Sequence, residues 1–341
     1  MGFKNETVTG LEDLVTKIDA YLVSRGWTSD ELDTVTGEWG ISRDTIFAQA
    51  RWEKPVVASP SMGLYHSLGF ISTATLPGNH TDDSGNGAIS GSNGTIALQR
   101  RLFVGATPSQ YWCFDSNSSP HYAHIVVQLD STTVGHFGFG IIDKVGDWTG
   151  GEYCYAERTN PASTSVAIQA TSTYLLDGLC QDQTPVVNME EIAATLHLES
   201  FPNQVGGGSG KWGIPMGNQA DANFGTDRAS VARQRLIGGF RGSMLARAFG
   251  DFQSTPTDGL VPMYPIGCWF EDTTNVTVSA PVIMLLGWMQ DVRGVSIKDF
   301  VIGDSVMVGG DEWFLFPSQK KGNTGSLTNT TAHQGIAYRK I

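Results

Sequence analysis

The chain has 341 residues, 41 of them glycine, with 40% hydrophobic and only 16% charged residues. Soluble domains usually carry about a quarter charged residues, so this composition points to many turns and a polar, weakly charged surface. It fits a β-rich protein covered by neighbours in an assembly better than a free cytosolic enzyme. A net charge of −12 excludes a generic nucleic-acid binder, because phosphate recognition needs a cationic face.

The first element is a helix. Leu11, Leu14, Val15, Ile18, Tyr21 and Leu22 recur at helical spacing and share one face. Thr9 and Glu12 have capping-box spacing, Gly26 stops the helix, and Trp27 packs back. From 40 to 105, strand-like pieces at 55–58, 69–75 and 96–104 alternate with loops. Residues 81–93 are rich in Gly, Asn, Ser and Asp and read as an exposed, mobile loop.

The densest β region runs from 109 to 157. Tyr111 to Phe114, Tyr122 to Leu129, Gly135 to Ile142 and Glu152 to Tyr155 are extended pieces separated by polar turns. Glycine alternates with Phe137 and Phe139, so one face lacks side chains and a sheet or a second backbone must press close there. Residues 188–200 suggest a short helix through Met189, Ile192, Ala193, Leu196 and Leu198. Residues 227–250 suggest another, ending near Gly238. Residues 276–288 are apolar and β-branched and read as a central strand or pair, with Pro281 marking an edge or bulge. At the C-terminus two extended runs meet at Gly309, Gly310 and Asp311, a hairpin signal. Ile336, Tyr338 and Ile341 then pin a terminal strand into a sheet.

The expected fold is β-rich α+β: antiparallel, sandwich-like sheets with an N-terminal amphipathic helix and few short helices. The expected organisation is a helical segment at 1–39, a β-rich domain at 40–204, a Gly-rich linker at 205–213 and a second β-rich subdomain at 214–341, ending in a hairpin and terminal strand.

Candidate chemistry is sparse. Gly206 to Lys211 has the look of a phosphate loop, but Val205 stands where that loop needs glycine and Trp212 where it needs Ser or Thr. Cys113, His121, His124 and His136 are close enough along the chain to suggest zinc, yet their spacing matches no standard site. Asp143, Asp147, Glu152 and Glu157 surround Trp148 and could form a glycosidase pair, although 34 acidic residues make such clusters common. Arg228, Arg233, Arg235, Arg241 and Arg247 read as solvated or interface arginines. Cys113, Cys154, Cys180 and Cys268 lie far apart and read as buried free thiols. Six N-x-S/T triplets (Asn5, Asn79, Asn93, Asn117, Asn275, Asn329) read as loop composition. The first ten residues lack an apolar signal core, and no run approaches the roughly 20 apolar residues of a membrane span. A soluble product of a cytoplasm is expected. No catalytic, cofactor-binding or metal residue is assigned.

Three blocks resemble virion structural proteins of tailed bacteriophages. One is 135–151, reading GHFGFGIIDKVGDWTGG. Another is the ending, with Gly303-Asp304, then Gly310 to Pro317, then Gly335 to Lys340. The opening, from Thr7 through Leu11 to Leu14 to Gly26-Trp27, is similar to the same group. The resemblance implies a tail, baseplate or neck component of the virion, without catalytic residues. It implies partners in copies of itself, in a sixfold or related ring, and in neighbouring virion proteins, with no sequence-specific nucleic-acid binding and no membrane insertion. The N-terminal helix and the C-terminal strands are the parts expected to reach a neighbour, with packing into the core of their own subunit as the alternative. The alternatives are a glycan- or host-surface-binding module of the same particle, using Trp148 and 84–93, or a polysaccharide hydrolase.

Overall fold

The computed structural model describes residues 2–52, 62–67, 100–102, 107–156, 194–198, 212–213, 234–238, 263–272, 282–297, 300–317 and 334–341. In chain order the elements begin with β1 (Phe3–Thr7), α1 (Leu11–Ser24), β2 (Thr28–Asp33), β3 (Glu38–Arg43), β4 (Ile46–Trp52), β5 (Met62–Ser67) and β6 (Arg100–Leu102). The dense middle gives β7 (Gln110–Asp115), β8 (Tyr122–Gln128), β9 (Val134–Ile141), β10 (Asp143–Lys144) and β11 (Gly150–Ala156). The remainder gives β12 (Ala194–Leu198), β13 (Trp212–Gly213), β14 (Gln234–Gly238), β15 (Met263–Asp272), β16 (Val282–Ser296), β17 (Asp304–Val308), β18 (Asp311–Pro317) and β19 (Gln334–Lys340). The pairings are antiparallel throughout, and the body is β-rich with its helix at the N-terminus, as expected.

Three sheets result. The central one runs β1-β7-β8-β9-β11-β12-β13. On one side lie α1 and the five-stranded sheet β2-β3-β4-β5-β6; on the other lies β14-β15-β16-β19-β18-β17, with β10 also paired to β16. Sequence alternation explains the stacking. Tyr111, Cys113, Ile125, Val127, Phe137, Phe139 and Cys154 face α1 and its sheet. Their neighbours Trp112, Phe114, Tyr122, Val126, Tyr153 and Tyr155 face the C-terminal sheet. A strand buried on both faces needs large apolar residues at every position, and β7, β8 and β9 are buried almost end to end.

The helix sits in this core. Leu14, Val15, Ile18 and Leu22 are fully buried, and with Leu11 they bring roughly 10 kcal/mol of gross hydrophobic stabilisation. The expected Thr9–Glu12 box is replaced by Asp13. Gly10 is the N-cap, so the position three residues on is Asp13, whose carboxylate accepts from the Thr9 N–H at 2.9 Å. At the other end Gly26 takes φ 88°. Its N–H donates to Val23 O, and Trp27 N–H to Leu22 O, a Schellman closure that folds Trp27 back onto Phe139. The helix therefore packs within its own chain. Likewise β19 is an internal strand between β16 and β18. The buried faces of both are thus filled from within the chain, the alternative that the sequence left open.

Two expected helices are strands. In β12, Leu196 pairs with Tyr153 and Leu198 with Gly150; the two leucines alternate, and pairing with β11 overrides the helical spacing read upstream. In β14, Arg235 lies opposite Glu271 and Ile237 opposite Trp269, so cross-strand partners on β15 decide the conformation. Of these two expected helices, residues 188–193, 199–200, 227–233 and 239–250 lie outside the described residues, as do the expected pieces at 55–58 and 69–75, the loop at 81–93 and Pro281. The strand after that proline, β16, is central, as read. The stretch 1–39 holds α1 but also contributes β1 and β2 to two sheets, and Trp212–Gly213 joins the central sheet.

The hairpin at 308–311 forms as read. Gly309 (φ 62°) and Gly310 (φ 94°) make a two-residue turn that requires positive φ at both positions. The bare glycine face of β9 is closely covered, as read, by neighbouring backbone and also by tyrosine side chains. A Cβ on Gly138 would lie 2.8 Å from the Tyr155 ring and 2.7 Å from Ala123 O. Tyrosines of the flanking strands press there.

Candidate functional site

The residues weighed for metal binding do not converge. Cys113 points toward α1, while His124 and His136 point toward the C-terminal sheet. His121 stands at the head of β8, near Asp44 and Ser116. Among the described residues no group of three His, Cys, Asp or Glu side chains could hold a metal. Cys113, Cys154 and Cys268 are free and buried, and burial pushes the Cys268 thiol up to about 12. Cys180 lies outside the described residues.

The acidic group around Trp148 is dispersed as well. Asp143 and Asp147 are exposed, whereas Glu152 is buried and accepts from Thr45 Oγ1 at 2.7 Å. A carboxyl that donates a proton near neutrality needs a buried, apolar setting, which the first two lack. Glu157 lies outside the described residues. One face of the Trp148 ring carries the Lys144 ammonium at 5.4 Å, so that face is not open to a sugar. The 206–211 loop and Arg228, Arg233, Arg241 and Arg247 also lie outside the described residues; Arg235 is on β14.

One constellation has no local sequence signal. Ser116 Oγ lies 3.2 Å from His121 Nδ1, and His121 Nε2 lies 3.4 Å from Asp44 Oδ2. The order is that of a nucleophilic triad. Ser116, however, is only 4% exposed, and its oxygen accepts the Tyr122 N–H at 3.2 Å. The group closes the 116–121 turn. Burial, aided by Arg43, lowers the His121 pKa against the opposing pull of Asp44 and Asp115.

The largest polar arrangement lies between the central and C-terminal sheets. His136 Nε2 is 2.8 Å from Pro317 O, and its Nδ1 is 2.8 Å from Tyr338 Oη. A carbonyl only accepts, so Nε2 carries the proton and Tyr338 donates to Nδ1. His124 Nδ1 is 2.8 Å from Tyr155 Oη, and its Nε2 is 3.3 Å from Tyr153 Oη. Beside them Tyr122 donates to Asp291, which takes φ 53° in the middle of β16 and pairs with Arg339 at 3.3 Å. Burial pushes His124 down to about 3 and His136 to about 4, so both are neutral over most of the pH range. The same burial, with Asp291 beside it, raises Tyr122. Six strands supply this network: β8, β9, β11, β16, β18 and β19. It fixes how the two sheets register, and both imidazoles are fully buried beneath it.

A second charged anchor ties α1 to the central sheet. Fully buried Asp115 accepts from Tyr21 Oη at 2.5 Å and from Arg25 Nε at 3.3 Å. Its N–H donates to Gly2 O, and Gly2 N–H donates to Ile341 O. Both ends of the chain are held at this point.

Among the described residues at the C-terminal sheet, Val301 and Met307 are large apolar side chains left 63% and 67% exposed. Val301 precedes β17 and Met307 lies within it, and β17 ends that sheet. No protein-family model matches the chain, and a search of curated proteins finds no match.

Proposed function

We propose that this chain is a non-enzymatic structural component of a tailed-phage virion, set in a ring-like assembly of the tail, baseplate or neck. The observation that carries the reading is the exposed apolar group at and beside β17, Val301, Met307 and Val308, in a chain with only 16% charged residues. Exposed apolar groups beside an open strand suit subunit contacts. The three blocks that resemble virion proteins support the same reading. They lie far apart in sequence, yet they meet in the three-sheet body: α1, β9 with β10, and β17 with β18 and β19. His136 of one block bonds Tyr338 of another. A rigid body sealed by such contacts presents edges to its siblings.

The test is particle composition. Quantitative mass spectrometry of purified virions from the host that makes this chain is expected to find it in multiple copies per particle. A chain that stays in the soluble lysate and never enters particles overturns the proposal.

A further inference from the structure

A strand at a sheet edge presents unpaired N–H and C=O groups, and monomeric proteins protect such edges with charge, bulges or proline. Among the described residues, β1, β2 and β17 end their sheets with side chains that are described. The first two are protected. Along β1, Lys4 and Glu6 form an ion pair at 2.6 Å. In β2 the register slips between Ser29 and Glu31, and the strand carries Asp30, Glu31 and Asp33. β17 has no bulge, and its one charge, Asp304, sits at its first position. Its register with β18 runs unbroken from Asp304 to Val308, and positions 305–308 carry no charge and no proline. Met307 is 67% exposed and Val308 38%.

The turn settles which groups point outward. A two-residue hairpin turn makes Val308 and Asp311 a mutually bonded pair. Alternation then turns the N–H and C=O of Ser305 and Met307 away from β18. We infer that β17 pairs antiparallel with β17 of a second copy of this chain, about a two-fold axis at Val306. In this register Ser305 lies opposite the partner's Met307 and Met307 opposite the partner's Ser305. The outward groups then form roughly four main-chain hydrogen bonds. Val306 meets its own copy, and Asp304 falls opposite the partner's Val308, so no carboxylate faces another. Parallel pairing in register would set Asp304 about 4.8 Å from its own copy, like charge against like. The strand's own sequence thus selects the antiparallel, self-complementary arrangement. It also runs the C-terminal sheet continuously across two copies and covers Met307.

A five-residue edge is small beside a standard interface. The pairing is therefore concentration-dependent for the isolated chain, and stronger where other contacts already hold copies together. Sedimentation equilibrium over a concentration series reads it. The wild-type mass is expected to rise from 36.7 kDa toward twice that value. Met307→Pro removes an outward N–H without touching the bonds to β18, and Met307→Lys places an edge lysine there. Each is expected to weaken association roughly tenfold or more while leaving the circular-dichroism spectrum and the melting temperature in place. Protection of the Ser305 and Met307 amides from exchange should appear only at concentrations where the pair forms. A wild-type chain that stays at 36.7 kDa throughout overturns the inference. So does Met307→Pro associating as the wild type does. Rings that persist while β17 pairing is absent would leave the virion reading standing and remove only this contact.

Discussion

Acid should loosen the contact between the central and C-terminal sheets, and two histidines set the pH window. His124 and His136 are neutral in the folded chain because burial holds them at about 3 and about 4, against an ordinary 6.5. The unfolded chain takes up protons at the ordinary value. Below pH of about 6.5 the unfolded state therefore binds more protons, and stability falls as pH falls. The contribution is fully present above the unfolded pKa and is lost progressively down to the folded values. Each histidine costs about 1.4 kcal/mol per pH unit in that window. Between pH of about 6.5 and 4.5 the pair therefore removes roughly 5 kcal/mol, a large share of a typical domain's stability. Asp30 and Glu31, whose carboxyls are raised by burial, act in the opposite direction, and His121 acts in the same one. All three are common to parent and variant. Comparing the parent with His124→Gln/His136→Gln isolates the two imidazoles. Urea unfolding at closely spaced pH values measures the slope. The slope of unfolding free energy against pH should drop by about 1.4 kcal/mol per unit for each histidine removed. Equal slopes in parent and double variant would refute the reasoning, whatever the absolute stabilities.

Other expectations follow from single contacts. Tyr21→Phe deletes a hydrogen bond to the buried Asp115 carboxylate and should cost about 2 kcal/mol in denaturant unfolding. Gly138→Ala forces a methyl group to within 2.8 Å of the Tyr155 ring; a cost of about 1–3 kcal/mol is expected, read as a lowered melting temperature. Gly310→Val places a β-branched residue at φ 94° and should cost at least about 1 kcal/mol, with the Val308–Asp311 end of the hairpin losing amide protection first.

The sequence made some of this legible because the deciding information is local. Gly309-Gly310 admits one kind of turn. The apolar stripe of α1 ends at a glycine that can take positive φ. Alternating runs from Tyr111 to Tyr155 can only be strands buried on two faces. Other features were hidden because their partners are remote. The partners of His124 and His136 lie 31 and 202 residues away, and no spacing rule connects them. The segments that became β12 and β14 carry apolar residues compatible with a helix. Pairing with β11 and β15 outweighs that weak local preference. Asp13 displaced Glu12 as the capping partner because the helix starts at Leu11, one residue later than the box assumes.

Electron cryomicroscopy of virions purified from the host that makes this chain tests the central claim most directly. The account predicts a three-sheet body repeated around the particle axis, with each copy touching siblings through its sheet edges. A map in which the chain is absent, or stands as a lone copy with no sibling contact, would contradict it.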